Sequence, residues 1–228
     1  MMSGLMSMNN VEKENLIIEI KRFLTEITII NDQLSVYLDI YACIEDPDCL
    51  LKLNQAAAFF TITILALRSN IIMGVSRLFD SDPNVKSIKK LITRSKSSKR
   101  FFKLEFNTGF IYEENQEKSE VSIIKIDIDK ILNELDTELG CILASSSLEN
   151  IKVSRDKVIA HNDKKYFLNK EAIPKIPVED IKNLTEFAAK LCNELLKHLN
   201  GEVVATKSSN VNDLNKLIGL VKTNEGVN

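Results

Sequence analysis

Leu16-Ile17-Ile18-Glu19-Ile20-Lys21-Arg22-Phe23-Leu24-Thr25-Glu26-Ile27 sets apolar residues three and four apart, and the pattern continues through Ile30, Leu34 and Leu38. That spacing lines one face of a helix, so it predicts a long amphipathic helix from Val11 to about Cys43. Asp46-Pro47-Asp48 breaks it, because proline lacks the N–H and restricts the residue before it. Leu50 to Phe79 then reads as a second long helix, apolar nearly all round, as the centre of a bundle requires. Ser81-Asp82-Pro83-Asn84 ends that helix. A shorter one follows from about Val85, with Val85, Ile88, Leu91 and Ile92 on one side and Lys86, Lys89, Lys90 and Arg94 on the other.

Further along, Asp127 is placed to cap a helix through Leu143, with Leu132, Leu135, Leu139, Ile142 and Leu143 turned inward. Another helix covers roughly Leu148 to His161 and stops at Asn162-Asp163-Lys164-Lys165. Pro174 and Pro177 punctuate a loop, and Val178 to Leu199 is strongly amphipathic, closed by Asn200-Gly201. His198 falls in the last turn of that helix, where a cation would meet the negative end of the dipole. Between Phe106 and Ser122 no regular structure is assigned: Asn107-Thr108-Gly109 signals a turn, and Glu113 to Glu120 is acidic. The fold class is therefore all-α, an antiparallel helical bundle with a short irregular or acidic insertion. Residues 1–10 are expected to lack order, residues 11–200 to form one helical domain, and residues 201–228 to form a tail in which Leu214, Leu217, Ile218, Leu220 and Val221 could dock a short helix.

The 228 residues suit one large domain. Lysine and arginine total 30 and aspartate and glutamate 32, a net charge of −2, which excludes a wholesale basic coat. Seven glycines, four prolines and no tryptophan argue against an all-β protein rich in tight turns. The four cysteines, Cys43, Cys49, Cys141 and Cys192, show no CxxC pair and only two histidines accompany them, so no metal site is expected. Met1 to Asn10 has no basic region and no apolar run, which predicts no secretion signal, a cytoplasmic protein and free thiols. From Leu53 to Ser76 the only charge is Arg68. The polar residues interrupting that stretch favour a buried core helix over a membrane span.

One constellation carries chemistry: Ser154-Arg155-Asp156-Lys157-Val158-Ile159-Ala160-His161-Asn162-Asp163. A guanidinium can neutralise a phosphate with paired donors, and an imidazole can move a proton near neutral pH. These are the parts needed to cleave a phosphodiester through attack by the neighbouring 2′-hydroxyl. On an ideal helix the six-residue step puts Arg155 and His161 about 120° apart with about 9 Å of rise, so they converge only if the helix loosens.

With that motif late in a helical domain, ending in Ala160-His161-Asn162-Asp163, the chain resembles the HEPN superfamily (higher eukaryotes and prokaryotes nucleotide-binding). Ser76-Arg77-Leu78-Phe79-Asp80, followed by Ser87-Ile88-Lys89-Lys90-Leu91-Ile92, is similar to the abortive-infection AbiU-type branch. The resemblance spans roughly Val11 to Leu199. It implies a HEPN-type bundle that dimerises around the motif helix and cleaves RNA without a metal or other cofactor, in phage defence or a toxin-antitoxin pair. Arg155 and His161 would be catalytic, with Asp156 in the polar position after the arginine. Some HEPN toxins carry, two residues after the histidine, a tyrosine that an antitoxin enzyme modifies. Here Asp163 stands there, and Tyr166 is out of register. Arg77, Asp80 and Asp163 read as supporting groups, with an ion pair closing a helix end as the equal alternative for Arg77 and Asp80.

Val85 to Lys103 holds eight basic residues (Lys86, Lys89, Lys90, Arg94, Lys96, Lys99, Arg100, Lys103), no acidic one, and Phe101 and Phe102. A basic helix face beside aromatics suits an RNA backbone and stacked bases, with Lys86, Lys89, Lys90 and Arg94 as the contacts. A solvated face with the two phenylalanines in the core is the other reading. The expected partners are RNA, a second copy of the chain and an antitoxin protein, with no membrane. The function expected is endoribonuclease; the alternative is a non-catalytic helical module that binds nucleic acid or protein.

Overall fold

The computed structural model describes residues 2–103, 105–108, 122–160, 171, 173–208 and 213–220. Its helices are α1 (Met2–Glu45), α2 (Pro47–Asn54), α3 (Ala57–Leu78), α4 (Ile88–Ser97), α5 (Ile128–Leu143), α6 (Ser146–Val153), α7 (Val178–Asn200) and α8 (Asp213–Leu220). Two strands, β1 (Glu105–Thr108) and β2 (Ser122–Lys125), pair antiparallel with Glu105 opposite Lys125. The fold class is all-α, and the insertion expected to be irregular leaves and re-enters the bundle as this short ribbon.

Helix α1 is the axis of the bundle. Its stripe Leu16, Ile20, Leu24 and Ile27 is fully buried, and α3 and α7 are its main neighbours. Both run antiparallel to it. Gln33 and Ile29 share a groove with Asn70 and Arg77, while Tyr37 meets Arg68, so position numbers rise on α1 as they fall on α3. On the other side Leu34 lies with Ile181, and Lys21 reaches Glu202 just past α7. Helices α4 and α5 pack on each other, and α6 lies against α3. A second apolar cluster at the far end joins Ile40, Cys43, Leu53, Phe60, Leu214 and Ile218, so the tail helix docks there as α8.

Local signals explain most element ends. The Asp46 carboxylate accepts from the amides of Asp48 and Cys49 at 2.9 and 3.1 Å, with Pro47 at the first helical position. Asp127 accepts from the Lys130 amide at 3.0 Å. Gly201 closes α7 at φ 87°, a left-handed geometry that favours glycine.

Several expectations are corrected. Residues 2–10 continue α1, because extending a helix already nucleated adds one bond per residue fixed. The stretch from Leu50 to Phe79 is two helices, broken at Gln55 and Ala56. Neither residue is a helix breaker; the break lets both Leu53 and Phe60 reach the second cluster. Only the C-terminal half of α3 is core, whereas Phe59, Ile62 and Leu65 are exposed. Free thiols were expected throughout, yet Cys43 and Cys49 form a disulfide with Cα atoms 5.2 Å apart, because the Asp46-Pro47 turn folds α2 back beside the end of α1. Cys141 and Cys192 are free, one exposed and the other buried. His198 is buried, and burial pushes its pKa down despite Glu194 at 3.4 Å, so the neutral imidazole is favoured over the cation expected at a helix C-terminus.

Gly74 sits where α1 and α3 come closest: a Cβ there would lie 2.8 Å from Cγ1 of Ile30. Gly74→Ala gains about 0.5–1 kcal/mol of helix propensity and loses about 1–3 kcal/mol to overpacking. Urea unfolding should therefore show a net loss of up to about 2 kcal/mol, with the penalty vanishing in an Ile30→Ala background, a coupling a double-mutant cycle reads directly.

His198 binds its proton less readily folded than unfolded, so its contribution is intact above the unfolded value of about 6.5 and is lost as pH falls through the lower folded value. Wild type should lose more stability between pH 7.5 and 5.5 than His198→Gln does; equal losses would show that folding does not lower the affinity of the imidazole for its proton.

Candidate functional site

The motif helix does not remain α-helical. After α6 the chain widens into a π-helical segment, Ser154–Ala160, that packs against α3. Such segments close i→i+5 hydrogen bonds in place of i→i+4, are rare, and recur at functional sites. The loosening that the Arg155-to-His161 spacing calls for is thus present up to Ala160. His161, Asn162 and Asp163 lie outside the described residues.

Arg155 projects from this segment onto the C-terminal end of α3. Its Nη1 donates to Oδ2 of Asp80 at 3.1 Å, and its Nε donates to Oδ1 of Asp156 at 2.5 Å. The Arg155 and Asp80 side chains are 22% and 21% exposed, whereas Asp156 is 45% exposed. The hydrogen bond to Asp156, opposed in part by burial and aided by Asp80, raises the Arg155 pKa, so the guanidinium stays charged. A guanidinium carries five N–H donors in a planar fork. Those on Nη2 have no partner among the described residues and remain for a ligand oxygen.

Asp80 is itself fixed from two sides. Its amide donates to the Arg77 carbonyl at 3.3 Å, and its Oδ1 accepts from the Asp82 amide at 2.9 Å, the turn geometry favoured by aspartate. One carboxylate therefore shapes the loop with one oxygen and grips Arg155 with the other. The pairing of Asp80 with Arg155, 75 residues away, decides between the two sequence readings: Arg77 does not close the helix end through Asp80. Its exposed side chain instead lines a small groove with Glu26, Gln33 and Asn70. Beside Arg155, Ser154 is buried and its hydroxyl has no partner among the described residues; Ser76 on α3 is the same. Nothing in periodicity or charge marked either serine.

The basic segment is less open than its charge suggested. Lys86 reaches Glu19 at 3.0 Å, and Arg94 also pairs with Glu19, whose side chain is only 11% exposed. Lys96 pairs with Asp136 at 2.5 Å, Lys99 with Asp129 and Arg100 with Glu12. Lys90 donates to the Pro83 carbonyl. Phe102 is core, while Phe101 is half-buried under the Arg100 guanidinium, 4.8 Å from its ring centroid. Lys86 and Arg94, expected as RNA contacts, are thus paired with a nearly buried carboxylate of α1. Lys89 is exposed and has no ion-pair partner among the described residues.

Removing Arg155 leaves the Asp80 carboxylate without an ion-pair partner among the described residues, whereas removing Asp80 costs Arg155 one of its two carboxylates. Asp80→Ala and Arg155→Ala should each destabilise by about 1–3 kcal/mol, with the double variant costing less than the sum, whereas Asp156→Ala should cost about 1 kcal/mol or less because that carboxylate is near water. Denaturant titration of the four proteins checks this; strict additivity would show that the pair contributes nothing.

No curated protein and no solved structure matches the chain. One family does: its model, described as AbiU2 within the HEPN group, matches residues 13–218. That span takes in most of α1, the α3 end with Asp80, the Arg155 segment and most of the docked α8, and the chain accordingly belongs to the AbiU2 family of HEPN proteins.

Proposed function

We propose that this HEPN-type abortive-infection protein is an endoribonuclease, acting without a metal ion in a defence or toxin-antitoxin module. The observation that carries the reading is the grip on Arg155: a guanidinium set by Asp80 and Asp156 on a π-helical segment whose last residue immediately precedes His161. Arg155 contacts the scissile phosphate and the charge that develops on it. His161 moves the proton, taking it from the 2′-hydroxyl or delivering it to the departing 5′-oxygen. The bond from the 2′-oxygen to phosphorus forms, the bond to the 5′-oxygen breaks, and the products end in 2′,3′-cyclic phosphate and 5′-hydroxyl.

We propose a homodimer built on the Ser154–Ala160 segment, because two-fold pairing brings a second Arg155 and His161 to the same place, one histidine to accept and one to donate. Lys89 and Lys90 then follow the RNA backbone, and an antitoxin protein would silence the enzyme by covering this surface.

A non-catalytic binding role is the second reading, favoured by the same grip: an arginine held by two carboxylates can serve purely to tie the segment to α3. Incubation of the full chain with tRNA and total RNA, with and without EDTA, separates the two. Wild type should cleave in EDTA, and His161→Ala and Arg155→Ala should each lose at least about 100-fold in rate while still binding RNA. Lys89→Gln with Lys90→Gln should weaken binding and reduce the slope of log affinity against log salt by about 1.4. Tight RNA binding with no cleavage by any of them would favour the second reading.

A further inference from the structure

Arg68, the only charge between Leu53 and Ser76, plays no part in the Arg155 site. It stands with Lys175 and Tyr37 at a cavity of about 240 Å³ between α1, α3 and the start of α7. The cavity's apolar lining includes Leu34, Ile71, Ile72 and Ile181, all buried side chains of the bundle. Among the described residues, no carboxylate lines it.

Among the described residues, neither Arg68 nor Lys175 has an ion-pair partner, in contrast to the paired cations of α4. Helix α7 begins at Val178 behind Pro177, which provides no side-chain cap, and Glu179 and Asp180 in its first turn answer its dipole. Tyr37 lies within electrostatic reach of Arg68, and burial together with Tyr41 pushes its ionisation up to about 12, which leaves the phenol a neutral hydrogen-bond donor. Ligand sites in proteins are generally apolar concavities with a few polar groups placed to orient the ligand.

We infer that this cavity is a binding site for a small organic anion: an apolar body seated on Leu34, Ile71, Ile72 and Ile181, and a carboxylate or phosphate head held by Arg68 and Lys175. Its volume is below that of a drug-sized pocket, so the body is no larger than a phenyl ring or a short alkyl chain. On α3 the six steps from Ile72 to Leu78 rise about 9 Å and Asp80 lies beyond the helix end, so the site is separate from Arg155 and does not depend on RNA cleavage.

Calorimetric titration of the full chain with phenylacetate, phenyl phosphate, 2-phenylethanol and acetate tests the assignment. Phenylacetate or phenyl phosphate should bind at least tenfold more tightly than both 2-phenylethanol, which lacks the charge, and acetate, which lacks the body. The tighter of the two identifies the head group. The Arg68→Gln, Lys175→Gln double variant should lose at least tenfold in affinity with an unchanged melting temperature, since both side chains are exposed. The chain has no tryptophan, so Ile176→Trp at the cavity wall provides a single fluorescent reporter whose emission should change on saturation with the preferred anion. Equal binding of 2-phenylethanol, unchanged affinity in the double variant, a silent reporter, or no binding at 10 mM would each overturn the inference.

Discussion

Burial of the apolar stripe of α1 between two antiparallel helices is the constraint to which the other elements answer. Each fully buried leucine or isoleucine contributes about 1.5–3 kcal/mol relative to exposure, and the stripe from Leu16 to Leu34 is buried along its length. Because α3 and α7 flank α1, their ends are set by where they meet it. The approach at Gly74 lets α3 lie close enough for Val75 and Leu78 to enter the same core. That position fixes the end of α3, and so the loop that presents Asp80.

The Arg155–Asp80 pair is a consequence of that placement. Asp80 follows the last turn of α3, and the chain that returns after α6 meets it through a segment too wide to be α-helical. An ion pair at this level of exposure adds little to global stability on its own. What it does add is direction: it holds one face of the guanidinium against α3 and leaves the Nη2 donors turned elsewhere. A site that must recognise a phosphate benefits from a pre-positioned fork, since Arg155 then need not surrender several rotatable bonds when the ligand arrives.

Net charge is a poor guide to where this protein is positive. Val85 to Lys103 is the most basic segment of the sequence, yet α1 and α5 supply Glu12, Glu19, Asp129 and Asp136 to it, so much of that charge is spent on holding helices together. Arg68 and Lys175, by contrast, have no ion-pair partner among the described residues and adjoin a cavity. The field that a ligand experiences depends on which charges remain after internal pairing, a property of the assembled bundle.

What could be read from the sequence alone was whatever depends on neighbours within a few residues. Helical periodicity placed α1 and α7, Asp127 marked a helix start, Asp46-Pro47-Asp48 a break, Gly201 an end, and Arg155-Asp156 stood out as adjacent chemistry. Most features the sequence did not disclose join distant segments. The break at Gln55 and Ala56 serves a cluster completed by α8, the ribbon pairs Glu105 with Lys125, and Glu19 collects Lys86 and Arg94 from about 70 residues away. Arg77 and Asp80, three positions apart, read equally well as a local pair or as supporting groups, and only the tertiary structure, by setting the π-helical segment against the end of α3, gave Asp80 to Arg155. Local patterns record the torsional and hydrogen-bonding preferences of short stretches, whereas the identity of a long-range partner follows from how complete helices pack and has no signature at either residue.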